Sequence, residues 1–166
     1  IGSLALAQQE MQAERQYPSG TVLKNSYFGV QVTVPKGLQG QFVEQGGVQV
    51  LALGNGQGLG GVLFFQNGVA PAAYQRLMSE PFNLGQATFQ PAEQPRTQGT
   101  TVSVFMQEQS SGAVIQLSAL QGQGGSSILA MITSAEGTVE ALGPASRLVL
   151  GSIRFVNSTI AQAPAN

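Results

Sequence analysis

The chain has 166 residues, a formal net charge of −1, and 9% charged against 42% hydrophobic residues; at that length one core buries roughly 70% of the unfolded surface. Seven basic residues scattered from Arg15 to Arg154 exclude the clustered basic face that nucleic acid demands and the polybasic patch of a membrane anchor. His, Cys, Trp and Asp are absent and all eight acids are Glu, which removes the usual neutral-pH base, the thiolate nucleophile, the soft metal ligands and the EF-hand calcium loop.

Residues 1–7 read as the end of a secretory signal peptide, because Ala5-Leu6-Ala7 gives a small-x-small cleavage pattern before polar Gln8 and Gln9. A periplasmic or secreted location is therefore expected. No stretch supplies the ~20 consecutive apolar residues of a membrane helix. Residues 8–20 are polar, end in Pro18-Ser19-Gly20 and read as a linker, part of it a possible short helix around Met11.

A single domain is expected over residues 21–156. Phe28, Val30, Val32 and Val34 alternate with Gly29, Gln31 and Thr33, the period of a half-buried strand, and Pro35 with Gly37 ends it. A second alternating strand runs over residues 48–53, then the glycine-rich run 54–61, then a short, more fully buried strand over 62–65 closed by Asn67-Gly68. Residues 70–78 predict a helix with Pro71 in its first turn and Ala70, Ala73, Tyr74, Leu77 and Met78 on one face. Pro81 ends it. Residues 101–106, 113–120 and 127–133 predict an antiparallel meander, preceded by strand-like segments over 82–89 and 91–98. A second helix is expected from Gly137 to about Ser152, interrupted at Gly143-Pro144, with Ala145, Leu148, Val149 and Ser152 on the buried side. Residues 157–166 read as a mobile polar tail that contains the sequon Asn157-Ser158-Thr159.

Motifs for chemistry are sparse. Gly56, Gly58 and Gly61 match the spacing G-x-G-x-x-G, but a strand rather than a helix is expected after them, and no Asp exists to take ribose hydroxyls. The run reads as a flexible hairpin loop. Glu93, Glu108, Glu136 and Glu140 are the carboxylates open to glycosidase-type acid/base work, yet Glu136 and Glu140 also suit a first helical turn. A Ser nucleophile would need Lys24 or Lys36 as its base, and no S-x-x-K spacing occurs. No catalytic residue, cofactor or metal is expected. The aromatic and Met residues are mostly core by periodicity. Phe42, Phe82, Phe89, Phe105 and Met131 are the candidates for lining an apolar groove.

The strand over Gly29 to Gly37 and the closing Ser152-Ile153-Arg154-Phe155, with an Ala-rich helix and a meander between them, resemble the PsbP-like superfamily. Leu38 stands where that family has Trp. The resemblance spans residues 20–156 and implies an α+β fold, an antiparallel sheet flanked by two main helices as an α/β/α sandwich, and a non-catalytic accessory role. The expected function is an exported protein-interaction module whose partner is another extracytoplasmic protein. Two alternatives stand beside it: a periplasmic carrier or sensor of a small apolar ligand, and a Glu-dependent glycan hydrolase.

Overall fold

The computed structural model describes residues 8–122 and 124–156, so the signal-peptide and tail readings (1–7 and 157–166) lie outside the described residues. The polar stretch read as a linker forms two short strands, β1 (Gln9–Glu10) and β2 (Arg15–Tyr17), and no helix. Each is anchored by a specific contact. The Glu10 carboxylate accepts from the Ser26 backbone N–H (2.9 Å) and hydroxyl (2.6 Å), and the Tyr17 ring is buried with its hydroxyl accepting the Gln12 N–H.

The strands β3 (Val22–Asn25) and β4 (Val30–Thr33) form a hairpin in which Leu23 lies opposite Val32. Their alternation is the one read from the sequence, and Phe28, Val30, Val32 and Val34 are all buried. Next come β5 (Gln39–Gln45), β6 (Val48–Gly54) and β7 (Gly60–Asn67), an antiparallel run joined by glycine turns. Helix α1 (Pro71–Leu77) carries Pro in its first turn, then β8 (Phe82–Leu84), β9 (Ala87–Pro91), β10 (Arg96–Gln98), β11 (Thr101–Glu108), β12 (Val114–Gln121) and β13 (Ser126–Thr133) follow. The last three pair antiparallel in succession, as the meander pattern predicts. Helix α2 (Val139–Leu150) leads into β14 (Ile153–Phe155), which returns to pair with β4.

Two sheets result, a small one in the order β1-β3-β4-β14 and a ten-stranded one running β2-β5-β6-β7-β13-β12-β11-β9-β8, with β10 also on β11. One face of the large sheet, the inner face, presents Leu51, Leu63, Phe65, Ile128, Ala130 and Ile132. These share a core with Leu23, Val30 and Val32 of the small sheet and with Leu142, Ala145 and Val149 of α2. Phe28 stacks on Phe65 across that interface, ring centres 5.8 Å apart. The second core lies on the opposite, outer face, where Tyr74 and Met78 of α1 and Phe89 of β9 cover Val102, Val104, Met106, Ile115, Leu117 and Ala119.

The expected α+β sandwich of one sheet flanked by two main helices is corrected by this arrangement. Strands hold 49% of the described residues and helices 13%. The physical reason is local. Helix α1 is seven residues long and buries only Tyr74 at its centre and Met78 at its cap, too narrow a stripe to make a layer. The inner face is closed instead by a second sheet built from Val-rich extended segments before residue 34 and from β14, with α2 beside it. Helix α2 is also continuous where an interruption was expected. Pro144 sits within it, Thr138 caps it by accepting the Ala141 N–H (3.3 Å), and Leu142 joins Ala145 and Val149 as the buried residues.

Candidate functional site

Side chains alternate across a strand, so cross-strand register decides which residues share the outer face. One row runs Gln16, Gln41, Ala52, Val62, Met131, Leu117, Val104 from β2 to β11. The next runs Val43, Val50, Phe64, Leu129, Ala119, Val102. A third carries Gln39, Gly54, Gly60 and Thr133.

The rows change character at β13. Leu117, Val104, Ala119 and Val102 lie at most 3% exposed beneath α1 and the β8–β9 hairpin. Val43, Val50, Ala52, Val62, Phe64, Leu129 and Met131 remain half-buried, and Val48 at the end of β6 is 52% exposed. Every outer position of β2, β5, β6, β7 and β13 is uncharged. The charged residues of those strands, Arg15 and Glu44, occupy the alternate positions and project to the inner side. An apolar sheet face left uncovered by the described residues marks a contact surface far more specifically than single exposed apolar residues do.

Two depressions shape the face. A socket of about 190 Å³ is lined wholly by apolar residues, Phe64, Leu77, Phe82, Leu84, Leu117, Leu129 and Met131. A shallower groove of about 370 Å³ lies over Gln16, Gln39, Gln41, Ala52, Val62, Met131 and Thr133. Met131 lines both.

The wall that carries Leu77 is held by a buried polar contact. The Tyr74 hydroxyl lies 2.6 Å from the Ser127 hydroxyl and also donates to the Gln66 side-chain carbonyl. Burial pushes the Tyr74 phenol above its ordinary value, and the Ser127 hydrogen bond offsets part of that rise. The glycine run before β7 is a hairpin loop, and it is tied down. The Asn55 side-chain oxygen accepts from the N–H groups of Gln57 (2.7 Å) and Leu59 (3.3 Å), and Thr133 donates its hydroxyl to the Gly58 carbonyl (2.8 Å).

Of the five residues expected to line an apolar groove, the structure brings Phe82 and Met131 to the socket. Phe89 supports it from below, its ring stacked on Phe82 with centres 5.2 Å apart. Phe42 lies on the inner face, 3% exposed, beside Phe65. Phe105 also faces the inner side, with the Arg96 guanidinium 4.8 Å above its ring. Phe64, Leu77, Leu84, Val62 and the glutamines were not anticipated. The available signal was the run of apolar residues on both faces of β6 and β7, which leaves one apolar face over once the other is buried. The carboxylates are dispersed. Glu93 pairs with Arg96 at 3.0 Å and accepts the Phe105 N–H, Glu108 accepts from Ser110, and Glu136 and Glu140 are exposed before and at the start of α2.

No family model, curated protein or solved structure matches the chain. The likeness to the PsbP-like superfamily therefore rests on Gly29 to Gly37 and Ser152 to Phe155 alone. Among the described residues no helix is long and apolar enough to cross a membrane.

Proposed function

We propose that this chain is a non-catalytic, extracytoplasmic protein-interaction module that docks a protein partner through the outer face of the large sheet. The observation that carries the reading is the uncharged outer surface whose half-buried apolar residues lie mostly on β6, β7 and β13 and whose glutamines lie on β2 and β5, left open by the described residues beside a region of the same face that α1 covers. Such a surface suits a partner that is itself uncharged and apolar at the contact, since burying an unpaired charge against it is costly. Export rests on the Ala5-Leu6-Ala7 pattern.

The size of the socket weighs against the carrier alternative. At about 190 Å³ it falls below the roughly 300 to 1,000 Å³ of sites for drug-sized ligands, and the groove of about 370 Å³ beside it is lined largely by Gln and Gly. It matches a single apolar side chain in size.

A photoreactive side chain placed at Val62, with Arg154 on the small sheet as the control position, tests this in extracts of the source cells. The expected result is one protein adduct of defined mass at Val62, lost when Val50→Glu is added and absent from Arg154. Adducts to lipid or metabolite at Val62, or equal labelling from both positions, refute the reading.

A further inference from the structure

We infer that the occupant of the outer face is a second copy of this chain, the two large sheets meeting face to face about a two-fold axis. The inference rests on the docking reading above and names the partner.

Charge is the first argument. In a two-fold contact, residue i of one copy meets residue j of the other and j meets i, so a face bearing charges of one sign repels itself. The open part of this face, on β2, β5, β6, β7 and β13, bears none, and with a net charge of −1 on the whole chain two copies approach with almost no long-range repulsion. The polar groups are self-complementary as well. The amides of Gln16, Gln39 and Gln41 each hold donors and an acceptor, so a Gln of one copy satisfies a Gln of the other. A carboxylate or an ammonium group has no such match with its own kind.

Shape is the second argument. An apolar cavity of about 150 Å³ takes up benzene, so a socket of about 190 Å³ seats one apolar side chain. Val48 supplies one. It stands on the same face and is 52% exposed. Sheets packed face to face lie about 10 Å apart with interdigitating side chains, a spacing that covers Val50, Val62 and Phe64 in both copies at once.

Sedimentation equilibrium of the full chain, with Val62→Glu, Val48→Lys and the distal control Arg154→Glu, decides it. The expected result is a concentration-dependent monomer–dimer equilibrium, weakened about tenfold or more by either face substitution and unchanged by the control, with all variants keeping the wild-type circular dichroism. Should Val62→Glu fail to fold, Val48→Lys carries the test, because its site is already half in solvent. A wild type that stays monomeric at every concentration, or a dimer unmoved by both face substitutions, overturns the self-pairing. A monomer whose Val62 probe still yields an adduct with a different protein overturns the self-pairing and leaves the docking reading standing. A monomer with no protein adduct at Val62 overturns both.

Discussion

Replacing Tyr74 by Phe isolates the contact that holds α1 against the sheet. The ring stays and its packing against Met78 and the β11–β12 surface is retained, but the hydroxyl that meets Ser127 and Gln66 is lost. Each such hydrogen bond contributes a net ~0.5–1.5 kcal/mol, and a buried group left without its partner costs ~1–3 kcal/mol. Ser127 is 0% exposed, so water does not replace the lost partner, and the expected destabilisation is about 1–3 kcal/mol. The phenol adds a pH signature. Its folded value lies above the unfolded value of 10.0, so its contribution is complete below that pH and is lost as pH rises through the folded value. Urea unfolding at neutral pH and again above about pH 10 measures both effects. Wild type should lose its margin over Tyr74→Phe at alkaline pH, since Tyr17 and Tyr27 are common to both proteins. A variant as stable as wild type at neutral pH, or a margin that persists unchanged into alkali, refutes the reasoning.

Further outcomes follow from the two faces of β7 and from its ends. Leu63→Ala, on the fully buried inner side, should cost about 2–5 kcal/mol, and Val62→Ala, on the half-buried outer side of the same strand, less; denaturant midpoints compare them directly. Gly60→Ala would place a methyl group 2.0 Å from the Leu53 carbonyl oxygen, so a loss beyond the ~1–3 kcal/mol of ordinary overpacking is expected. Gly56→Ala, in open space at a φ of +75°, should cost less, and thermal unfolding ranks the pair. Thr138→Ala removes the cap of α2 and should lower stability by ~0.5–2 kcal/mol, read from helix-sensitive circular dichroism during unfolding.

Much of the local structure is legible in one dimension. Val30 and Val32, Val102 and Val104, Ile115 and Leu117, and Ala130 and Ile132 recur at a spacing of two, and all are buried. Pro71 marks the start of α1. The glycine hairpin before β7 is legible too, because a strand follows it. Its rigidity is not, since the Thr133 hydroxyl that fixes Gly58 lies 75 residues away.

The candidate site shows the same limit. Phe42, Phe105 and Met131 look alike in sequence, each an apolar residue with an apolar neighbour. Register sends Phe42 and Phe105 to the inner face and Met131 to the outer one. By itself the sequence determines strand periodicity, the near-absence of charge and the chemistries excluded by the missing His, Cys and Asp. Only the tertiary structure decides which face of each strand is covered, and by what. Alternation specifies that one side of a strand differs from the other, while burial depends on partners distant in the chain: β14 closing the small sheet, α2 lying over β13, and a seven-residue α1 too short to cover more than one end of the outer face.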